Sequence, residues 1–322
     1  MPAHKTVIQK SHNAAKFLTP ANSRYAREIL EQTLFPFQND LGLKGDITTD
    51  LLFSGNKKVS ARLVAKSAGV LAGMQELDFF LQKDWAPKSF KFFGSIKLKA
   101  LRKDGAAIGR GDTIAVLTGN FADILRVERT VLNLLQRMSG VATLAAEYVR
   151  MVPKNVLITP TRKTLWGLLD KRACAIGGAG THRLNLEDAV LIKDTHLEAM
   201  RHDFEEIFRK LAKKKNPGRF VEIEVETLKN ARTVIELFLK HQPLLPGNCL
   251  YLMLDNMKPG AITSFVKTLK TLKLQNKIIL EASGGINLKN IRQYAKTGAE
   301  ILSVGALTHS APAMDISLKL DL

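Results

Sequence analysis

The sequence of 322 residues has little cysteine, no long apolar run and a shortage of acidic side chains. Its two cysteines, Cys174 and Cys249, stand far from any second Cys or His at ligand spacing, which excludes a disulfide scaffold and a structural zinc site. No apolar stretch approaches the roughly 18 residues that a membrane-spanning helix needs. Residues 1–22 lack the apolar core of a secretory signal. We therefore expect a cytoplasmic protein that does not enter a membrane.

Positive charge is in excess, with 48 Lys and Arg against 30 Asp and Glu and a formal net charge of +18. This balance is typical of nucleic-acid binding, but a pocket for a multiply charged phosphate or carboxylate draws on the same residue types. The Lys-rich segments 97–103 and 213–215 contain no aromatic side chains, so they indicate solvated faces rather than a nucleic-acid surface. The charge therefore favours anionic substrates.

The length of 322 residues suggests about two domains. Apolar spacing from Tyr25 to Leu34 predicts an opening helix, and short β-like runs broken by glycine predict a sheet-rich region over 59–117. A long helical pattern over 123–148 leads into the second region. We accordingly predict an N-terminal domain over 1–120 and a catalytic domain over 121–307.

Six apolar runs alternate with helical patterns after this point. They cover 155–159, 189–193, 220–226, 250–255, 277–283 and 300–306. Repeated βα units with strands buried on both faces favour a parallel sheet, either doubly wound or closed into a barrel. All six runs lead into polar or glycine residues, and a barrel gathers the carboxyl end of every strand around one mouth. We therefore prefer a barrel, which can have fewer than eight strands.

Basic side chains accompany the first two runs. They are Arg162 and Lys163, with Thr161 before them, His182 and Arg183, and Lys193. The pattern places Arg162 and Lys163 at a helix start, where cations oppose the helix dipole unless an anion is bound. A lone His is more often a satisfied core or surface residue, although the neighbouring Arg183 makes a binding role equally plausible. Lys193 closes an apolar strand, where an ammonium calls for an anionic partner.

Acidic side chains follow the third and fourth runs. Glu222, Glu224 and Glu226 alternate along one strand and are expected to share a face, and Asp255 ends the next strand. Magnesium usually takes one or two carboxylates together with substrate phosphates, so this pattern predicts a Mg²⁺ site.

Glycine loops follow the last two runs. Ser283, Gly284 and Gly285 end one strand, and Gly305 and Ala306 end the next. Backbone N–H groups in such loops bind phosphate, and two loops on consecutive βα units are more specific than one.

Eight segments resemble one known family, in order along nearly the whole chain. They are GDITTD (45–50), ERTVLNLLQRMSGVAT (128–143), TRKT (161–164), GTHRLNLEDAVLIKDTH (180–196), VEIEVET (221–227), LDNM (254–257), EASGGINLKNI (281–291) and SVGALTHSAPAMDISLKL (303–320). The chain is identified by these segments as similar to quinolinate phosphoribosyltransferase.

This resemblance implies an N-terminal α/β sandwich joined to an incomplete α/β barrel, with the C-terminal tail 308–322 a candidate to pack on the sandwich. It also implies a homodimer, or a higher oligomer, with a shared active site. The implied reaction transfers phosphoribose from phosphoribosyl pyrophosphate (PRPP) to quinolinate. Decarboxylation then gives nicotinate mononucleotide, CO₂ and pyrophosphate, with Mg²⁺ as cofactor, in NAD biosynthesis.

The resemblance also implies residue roles. Quinolinate would be held by Arg162, His182, Arg183 and the Arg129 of a partner chain, beside Thr161. The catalytic residues would be Lys163 and Lys193, facing the pyrophosphate and the reacting carboxylate, and Glu224 and Asp255, serving the ribose hydroxyls and Mg²⁺. The 5′-phosphate would contact Ser283, Gly284, Gly285, Gly305 and Ala306.

Some positions depart from the family pattern. They are Pro160, Trp166, the pair Gly180–Thr181 and an apparent insertion over 240–249. The pair touches the substrate pocket, so it bears on which substrate is bound. Alternatives are therefore a related phosphoribosyltransferase for another aromatic acid, such as nicotinate, or a molybdenum-transport-linked relative. A basic nucleic-acid-binding protein is a more distant alternative.

Overall fold

A computed structural model describes residues 2–53, 57–82, 95–213, 217–241, 245 and 248–321. The chain divides into two compact units, each assembled from three stretches of sequence. The barrel unit comprises Met1–Ala14, Glu147–Lys163 and Ala179–His309. The sandwich unit comprises Ala15–Ala146, Thr164–Gly178 and Ser310–Leu322.

The elements within the described residues are as follows. The helices are α1 (Pro2–His12), α2 (Ser23–Leu41), α3 (Ile47–Leu52), α4 (Met74–Leu81), α5 (Phe121–Arg150), α6 (Gly167–Ile176), α7 (Asp194–Ala199), α8 (Phe204–Lys213), α9 (Leu228–His241), α10 (Pro259–Thr271), α11 (Ile291–Ala295) and α12 (Ala306–His309). The strands are β1 (Lys58–Ala65), β2 (Gly69–Val70), β3 (Lys97–Ala100), β4 (Ala107–Ile108), β5 (Thr113–Asn120), β6 (Leu157–Thr159), β7 (Val190–Ile192), β8 (Val221–Val225), β9 (Leu250–Asp255), β10 (Ile278–Ser283), β11 (Ile301–Ser303) and β12 (Ile316–Asp321).

Helix α2 forms where the apolar spacing predicts a helix, and it continues to Leu41. The side chain of Asn22 accepts hydrogen bonds from the backbone N–H groups of Arg24 and Tyr25, which makes it the N-cap. Tyr25 and Ile29 on its inner face are fully buried. The helix stops at Gly42, whose positive φ of 56° suits glycine.

Four antiparallel strands form the main sheet of the sandwich unit, in the order β12-β1-β5-β3. The C-terminal strand β12 pairs with β1 from Ser60 opposite Asp321 to Ala65 opposite Ile316. The exposed Lys97 and Lys99 lie on the edge strand β3, as expected for a solvated face. This sheet thus joins the last strand of the chain to the first.

Six parallel strands form the sheet of the barrel unit, in the order β6-β11-β10-β9-β8-β7. Each lies within one of the six predicted runs, and most of their side chains are buried, which explains the near-continuous apolar sequence. Within the described residues the sheet does not close between β6 and β7. The fold is therefore an α/β barrel-like domain that is incomplete, joined to an N-terminal α/β domain.

The predicted domain limits differ from the division into units. Helix α5 starts at Phe121, but its residues as far as Ala146 belong to the sandwich unit. Residues 1–14 belong instead to the barrel unit, where Ile8 packs against residues of the barrel strands such as Tyr251 and Ile279. The order of residues along the chain does not show which unit a segment belongs to. The domain limits 1–120 and 121–307 stay a prediction.

Some sequence-based expectations fall outside the described residues. They concern Lys214 and Lys215, half of the insertion over 240–249, and the start of the β-like run before residue 95. In the part of the chain that is described, no helix combines the length and the apolar character needed to span a bilayer.

A buried ion pair stabilises the sandwich unit. Arg137 on α5 donates from Nε and Nη2 to the two carboxylate oxygens of Asp170 on α6, at 2.9 and 2.8 Å. Asp170 is fully buried and also accepts the backbone N–H groups of Leu165 and Trp166 at 2.9 and 3.0 Å. The Asp170 carboxylate on α6 is thus hydrogen-bonded both to α5 and to the segment before α6.

Asp170→Ala is expected to lower the free energy of unfolding by about 3–5 kcal/mol, because it leaves a largely buried guanidinium and two N–H groups without their acceptor. Urea denaturation measures this loss. The matched control is Asp321→Ala, which breaks the exposed ion pair to Arg62 and is expected to cost about 1 kcal/mol or less. Equal losses in the two variants would contradict this account of Asp170.

Candidate active site

A pocket of about 300 Å³ lies at the carboxyl edge of the barrel sheet. Its lining residues are Thr161, Arg162, Lys163, His182, Arg183, Leu191, Lys193, Glu224, Met253, Asp255, Ser283 and Ser303. Each of the six strands supplies at least one of them, from its carboxyl end or from the segment just after it. The pocket therefore has the position that an α/β barrel gives to its active site.

Most of the predicted site residues line this pocket, and five do not. Gly284, Gly285, Gly305 and Ala306 lie in the segments that follow the neighbouring strands β10 and β11. Arg129 is an exposed residue of α5 in the sandwich unit. Its assignment to a shared site stays a prediction.

The loop after β6 carries Thr161, Arg162 and Lys163, but the expectation that a helix begins there is wrong, because α6 starts only at Gly167. The loop is shaped by its own hydrogen bonds. Thr161 Oγ1 accepts the N–H of Lys163 at 3.1 Å, and the carbonyl of Lys163 accepts the hydroxyl of Thr308 at 2.7 Å. Two exposed cations are thus presented at the pocket without any conflict with a helix dipole.

Arg183 is a buried cation with spare hydrogen-bonding capacity. Only 4% of the residue is exposed, its Nε has no hydrogen-bond partner among the described residues, and Nη1 donates to the carbonyl of Ala189 at 3.4 Å. Burial and the charge of Arg162 both lower its pKa. A buried guanidinium beside a second cation is costly unless an anion binds, so this side of the pocket suits a carboxylate or a phosphate.

A buried polar cluster adjoins the pocket through His182. Its members are His12, His182, Glu222 and Glu281. Nε2 of His182 lies 3.4 Å from Glu222 Oε2 and 3.3 Å from Glu281 Oε1, while its Nδ1 accepts the backbone N–H of Arg183 at 2.7 Å. Because Nδ1 is an acceptor, the ring proton of the neutral imidazole sits on Nε2 and faces the carboxylates. This tautomer leaves Nε2 no lone pair for a metal ion.

The charges in this cluster oppose one another. Burial lowers the pKa of His182, but Glu281 and Glu222 outweigh it and raise that pKa above its usual value. Burial and the nearby Glu281 raise the pKa of Glu222. Glu222 therefore belongs to this cluster and not to a common patch with Glu224, and Glu226 is exposed beyond the end of β8.

Glu224 and Asp255 bring two carboxylates together at the ends of the paired strands β8 and β9. Burial raises the pKa of Glu224 to about 7; Lys193 opposes this rise and Asp255 adds to it. Two neighbouring carboxylates in a half-buried pocket, where Asp255 adds to the raised pKa of Glu224, are a donor set that fits a divalent cation with oxygen ligands.

Glycine is required in the loop after β10. Gly284 has a φ of +87°, and a Cβ at this position would lie 2.2 Å from Oδ1 of Asn256. Gly285 has a φ of +62° and open space around it. Gly284 thus packs closely against Asn256, and the exposed backbone at Gly285 is the part of this loop that a phosphate could approach, although α11 begins only at Ile291, after a further turn.

Sequence reasoning missed several residues at or next to the site. Glu281 is one of them. It lies two residues before the predicted site residue Ser283 on β10, so the two share a face, and this spacing could have identified Glu281. Ser303, at the end of β11, was marked only by its neighbour Gly305. His12 gave no signal, because it lies on α1 and not on a strand.

The comparison with known families decides between the alternatives. The model of the quinolinate phosphoribosyl transferase N-terminal domain matches residues 46–139, and that of the C-terminal domain matches residues 141–319. The chain belongs to the quinolinate phosphoribosyl transferase family. Membership in this family favours an enzyme over a nucleic-acid-binding protein.

Similar members of the quinolinate phosphoribosyl transferase family come from archaea and bacteria. The chain is 35% identical to a probable nicotinate-nucleotide pyrophosphorylase [carboxylating] of Methanothermobacter thermautotrophicus, over 87% of this chain and 95% of that protein. It is 34% identical to the Bacillus subtilis protein of the same name, over 89% and 91%. The solved nicotinate-nucleotide pyrophosphorylase of Francisella tularensis is similar with a TM-score of 0.76 and 27% identity, covering 92% of this chain and 96% of that one.

Glu224→Gln tests the electrostatics of this quinolinate phosphoribosyl transferase pocket. An ordinary glutamate has a pKa of 4.5, but Glu224 keeps its proton to about pH 7 in the folded chain. Its contribution to stability is therefore present at low pH and lost as the pH rises through this window, a loss that glutamine does not suffer. Relative to the original chain, Glu224→Gln should gain unfolding free energy between about pH 5 and about pH 8, measured by urea denaturation.

The matched control is Glu226→Gln, which changes an exposed carboxyl two residues further on. Its stability difference from the original chain should stay nearly constant over the same pH range. A constant difference for Glu224→Gln as well would overturn the assignment of this carboxyl.

Proposed function

We propose that the protein transfers phosphoribose from PRPP to the ring nitrogen of quinolinate, with release of CO₂ and pyrophosphate, and so makes nicotinate mononucleotide for NAD biosynthesis. The observation that carries this proposal is that one pocket at the mouth of the barrel is lined both by cations, among them Arg162, Arg183 and Lys193, and by the carboxylates Glu224 and Asp255. The cations fit a dianionic acid, and the carboxylates fit a ribose that carries a metal-bound pyrophosphate.

Arg162 and Arg183 hold the two carboxylates of quinolinate. The planar guanidinium matches a carboxylate with two parallel hydrogen bonds, and the open Nε of Arg183 supports such a contact. His182 was predicted for the same role, but its ring nitrogens are engaged by Arg183 and the buried glutamates. We place it in the pocket wall, where it supports Arg183.

Glu224 and Asp255 hold the ribose hydroxyls and a Mg²⁺ ion brought with PRPP. Mg²⁺, when bound, neutralises charge on the pyrophosphate. As the bond at ribose C1 breaks, positive charge grows on the sugar, and nearby carboxylates stabilise it. The raised pKa of Glu224 supports this placement, because a cation between the two carboxylates would relieve their repulsion.

Lys163 and Lys193 face the groups that carry or develop negative charge. Both line the pocket, and Lys193 follows β7 directly. We assign them to the departing pyrophosphate and to the 2-carboxylate that leaves as CO₂. After transfer, the positively charged pyridinium nitrogen stabilises the electron pair that decarboxylation leaves on the ring carbon, which then takes up a proton from solvent water. The loss of CO₂ itself needs no acid or base from the protein.

The 5′-phosphate of the ribose lies against the backbone after β10 and β11. Ser283 lines the pocket, and the backbone of Gly284 and Gly285 follows it, with open space around Gly285. At Gly305 a Cβ would lie 3.0 Å from the ring of His309 and 3.6 Å from Oγ1 of the pocket residue Thr161, so glycine lets this second segment, with Ala306, approach the site.

The site is shared between two copies in a homodimer, with Arg129 of one copy reaching the quinolinate of the other. Large exposed apolar side chains on and around α3 support a partner surface in the sandwich unit, since such patches usually mark contact sites. They are Leu43, Ile47, Leu51, Leu52 and Phe53.

A cytoplasmic location belongs to this proposal. Cys174 and Cys249 are both free and buried, as is usual in a reducing compartment.

Incubation with Mg²⁺, PRPP and quinolinate is expected to yield nicotinate mononucleotide and CO₂. Lys193→Ala should lower turnover by about two to three orders of magnitude, the effect of losing one preorganised charge partner. Product is followed by chromatography and CO₂ by isotope release from labelled quinolinate. Turnover of nicotinate but not quinolinate would refute the carboxylating reaction and favour the alternative acceptor.

Mixing Arg129→Ala with Lys193→Ala tests the shared site. Each variant alone is expected to be nearly inactive, whereas a mixed dimer has one site that lacks both changes. Activity should therefore return to about a quarter of the original when chains exchange freely, as half the dimers are mixed and each has one good site. Proven mixed dimers without activity would refute the sharing.

A further inference from the structure

The N-terminal segment Ser11–Ala14 contacts the loop that carries two of the site residues. The carbonyl of His12 accepts the backbone N–H of Thr181 at 2.8 Å and that of His182 at 3.1 Å. In return the N–H of Ala14 donates to Thr181 Oγ1 at 2.9 Å. These three hydrogen bonds fix the backbone on the amino-terminal side of Arg183.

The loop is built to accept this segment. A Cβ on Gly180 would lie 2.7 Å from the carbonyl oxygen of His12, so a larger residue would push the segment away. Thr181 is fully buried, and its hydroxyl completes the contact. Gly180 and Thr181 are also the pair at which this sequence departs from the family pattern.

An arginine joins the segment to the far side of the loop. Arg219 donates from Nη1 to the carbonyl of Ser11 at 2.5 Å and from Nη2 to the carbonyl of His182 at 3.0 Å. Its Nε donates to Asp188 at 2.6 Å, and Asp188 in turn accepts the N–H of Leu184 at 2.7 Å. The loop is therefore held on both sides of Arg183.

Aromatic ring contacts also connect His12 of this segment with His182, another member of the buried cluster. The imidazole of His12 stacks on Phe220 at 4.1 Å between ring centroids and meets His182 edge-on at 4.9 Å. His182 itself has a φ of +53°, which lies in the left-handed region that residues other than glycine adopt uncommonly.

We propose that Ser11–Ala14 is a positioning element for quinolinate binding, which acts by holding the 180–183 loop so that Arg183 faces the pocket. This inference rests on the proposed function for the substrate named. The segment lies before residue 46, where the match to the family's N-terminal domain begins. The segment is thus outside the residues that either family model matches.

Thr181→Val in the full chain tests the proposal, because valine keeps the shape of threonine and removes the hydroxyl. We expect the KM for quinolinate to rise about tenfold, the equivalent of one lost hydrogen bond, while the KM for PRPP changes less than twofold. Thr181→Ser should restore the original value. A merely structural role would alter both KM values or neither.

Thr297→Val is the matched control. Thr297 is also buried in the barrel unit, donates its hydroxyl to the carbonyl of Tyr294 and accepts the N–H of Ala299, but does not line the pocket. It should cost similar stability without a selective change in the KM for quinolinate. The same selective change in Thr297→Val would overturn the proposal.

Amide hydrogen exchange without substrate separates this proposal from the proposed function. In Thr181→Val, the amides of residues 11–14 and 180–183 should exchange faster together, and in Thr297→Val they should not. Unchanged exchange overturns the positioning element even if quinolinate is turned over. If the two segments exchange faster together in Thr181→Val but the original chain does not turn over quinolinate, the proposed substrate is refuted. The hold of Ser11–Ala14 on the 180–183 loop then still stands.

Discussion

Parallel pairing of the six barrel strands is the constraint on which the candidate site depends. The pairing sets the carboxyl ends of β6 to β11 at one edge, so residues far apart in sequence become neighbours. Register matters at every strand, because a slip of one residue would turn Glu224 out of the pocket and Val225 into it. The buried apolar side chains that surround these polar ends hold the register, so the chemistry of the pocket is positioned by hydrophobic packing.

Two charged groups of the pocket have unfavourable surroundings when no ligand is bound. Arg183 is buried with an open donor, and Glu224 has a raised pKa beside Asp255. Each of these features costs stability in the free protein, and each would be relieved by a substrate of the opposite charge. Such local cost is common at functional sites, where the rest of the fold supplies the stability that the site gives up. The apolar side chains buried along the barrel strands are one such source.

The sequence predicted the strands better than the contacts between them. Apolar runs identified all six barrel strands, and polar residues after the runs identified most of the pocket lining. Periodicity could not show that Glu222 turns toward His182 while Glu224 faces the pocket mouth, since that depends on the depth of each side chain in the barrel. Periodicity also could not show that residues 1–14 belong to the barrel unit. The apolar spacing of a short helix does not indicate which other element it packs against. Helix starts were unreliable for a related reason. The segment before α6 is held by the hydroxyl of Thr308, which lies far along the chain, and by the side chain of Asp170 on α6 itself, and apolar spacing shows neither hydrogen bond.

The pairing of β12 with β1 has a consequence for how the chain is made. Strand β1 is synthesised early, but β12, the strand that covers one of its edges, follows all of the barrel strands in the chain. Throughout translation of the barrel, β1 therefore has a row of unsatisfied backbone groups open to pairing with another nascent chain. Removal of β12 would expose that edge permanently, so this strand protects the chain from aggregation as well as completing its fold.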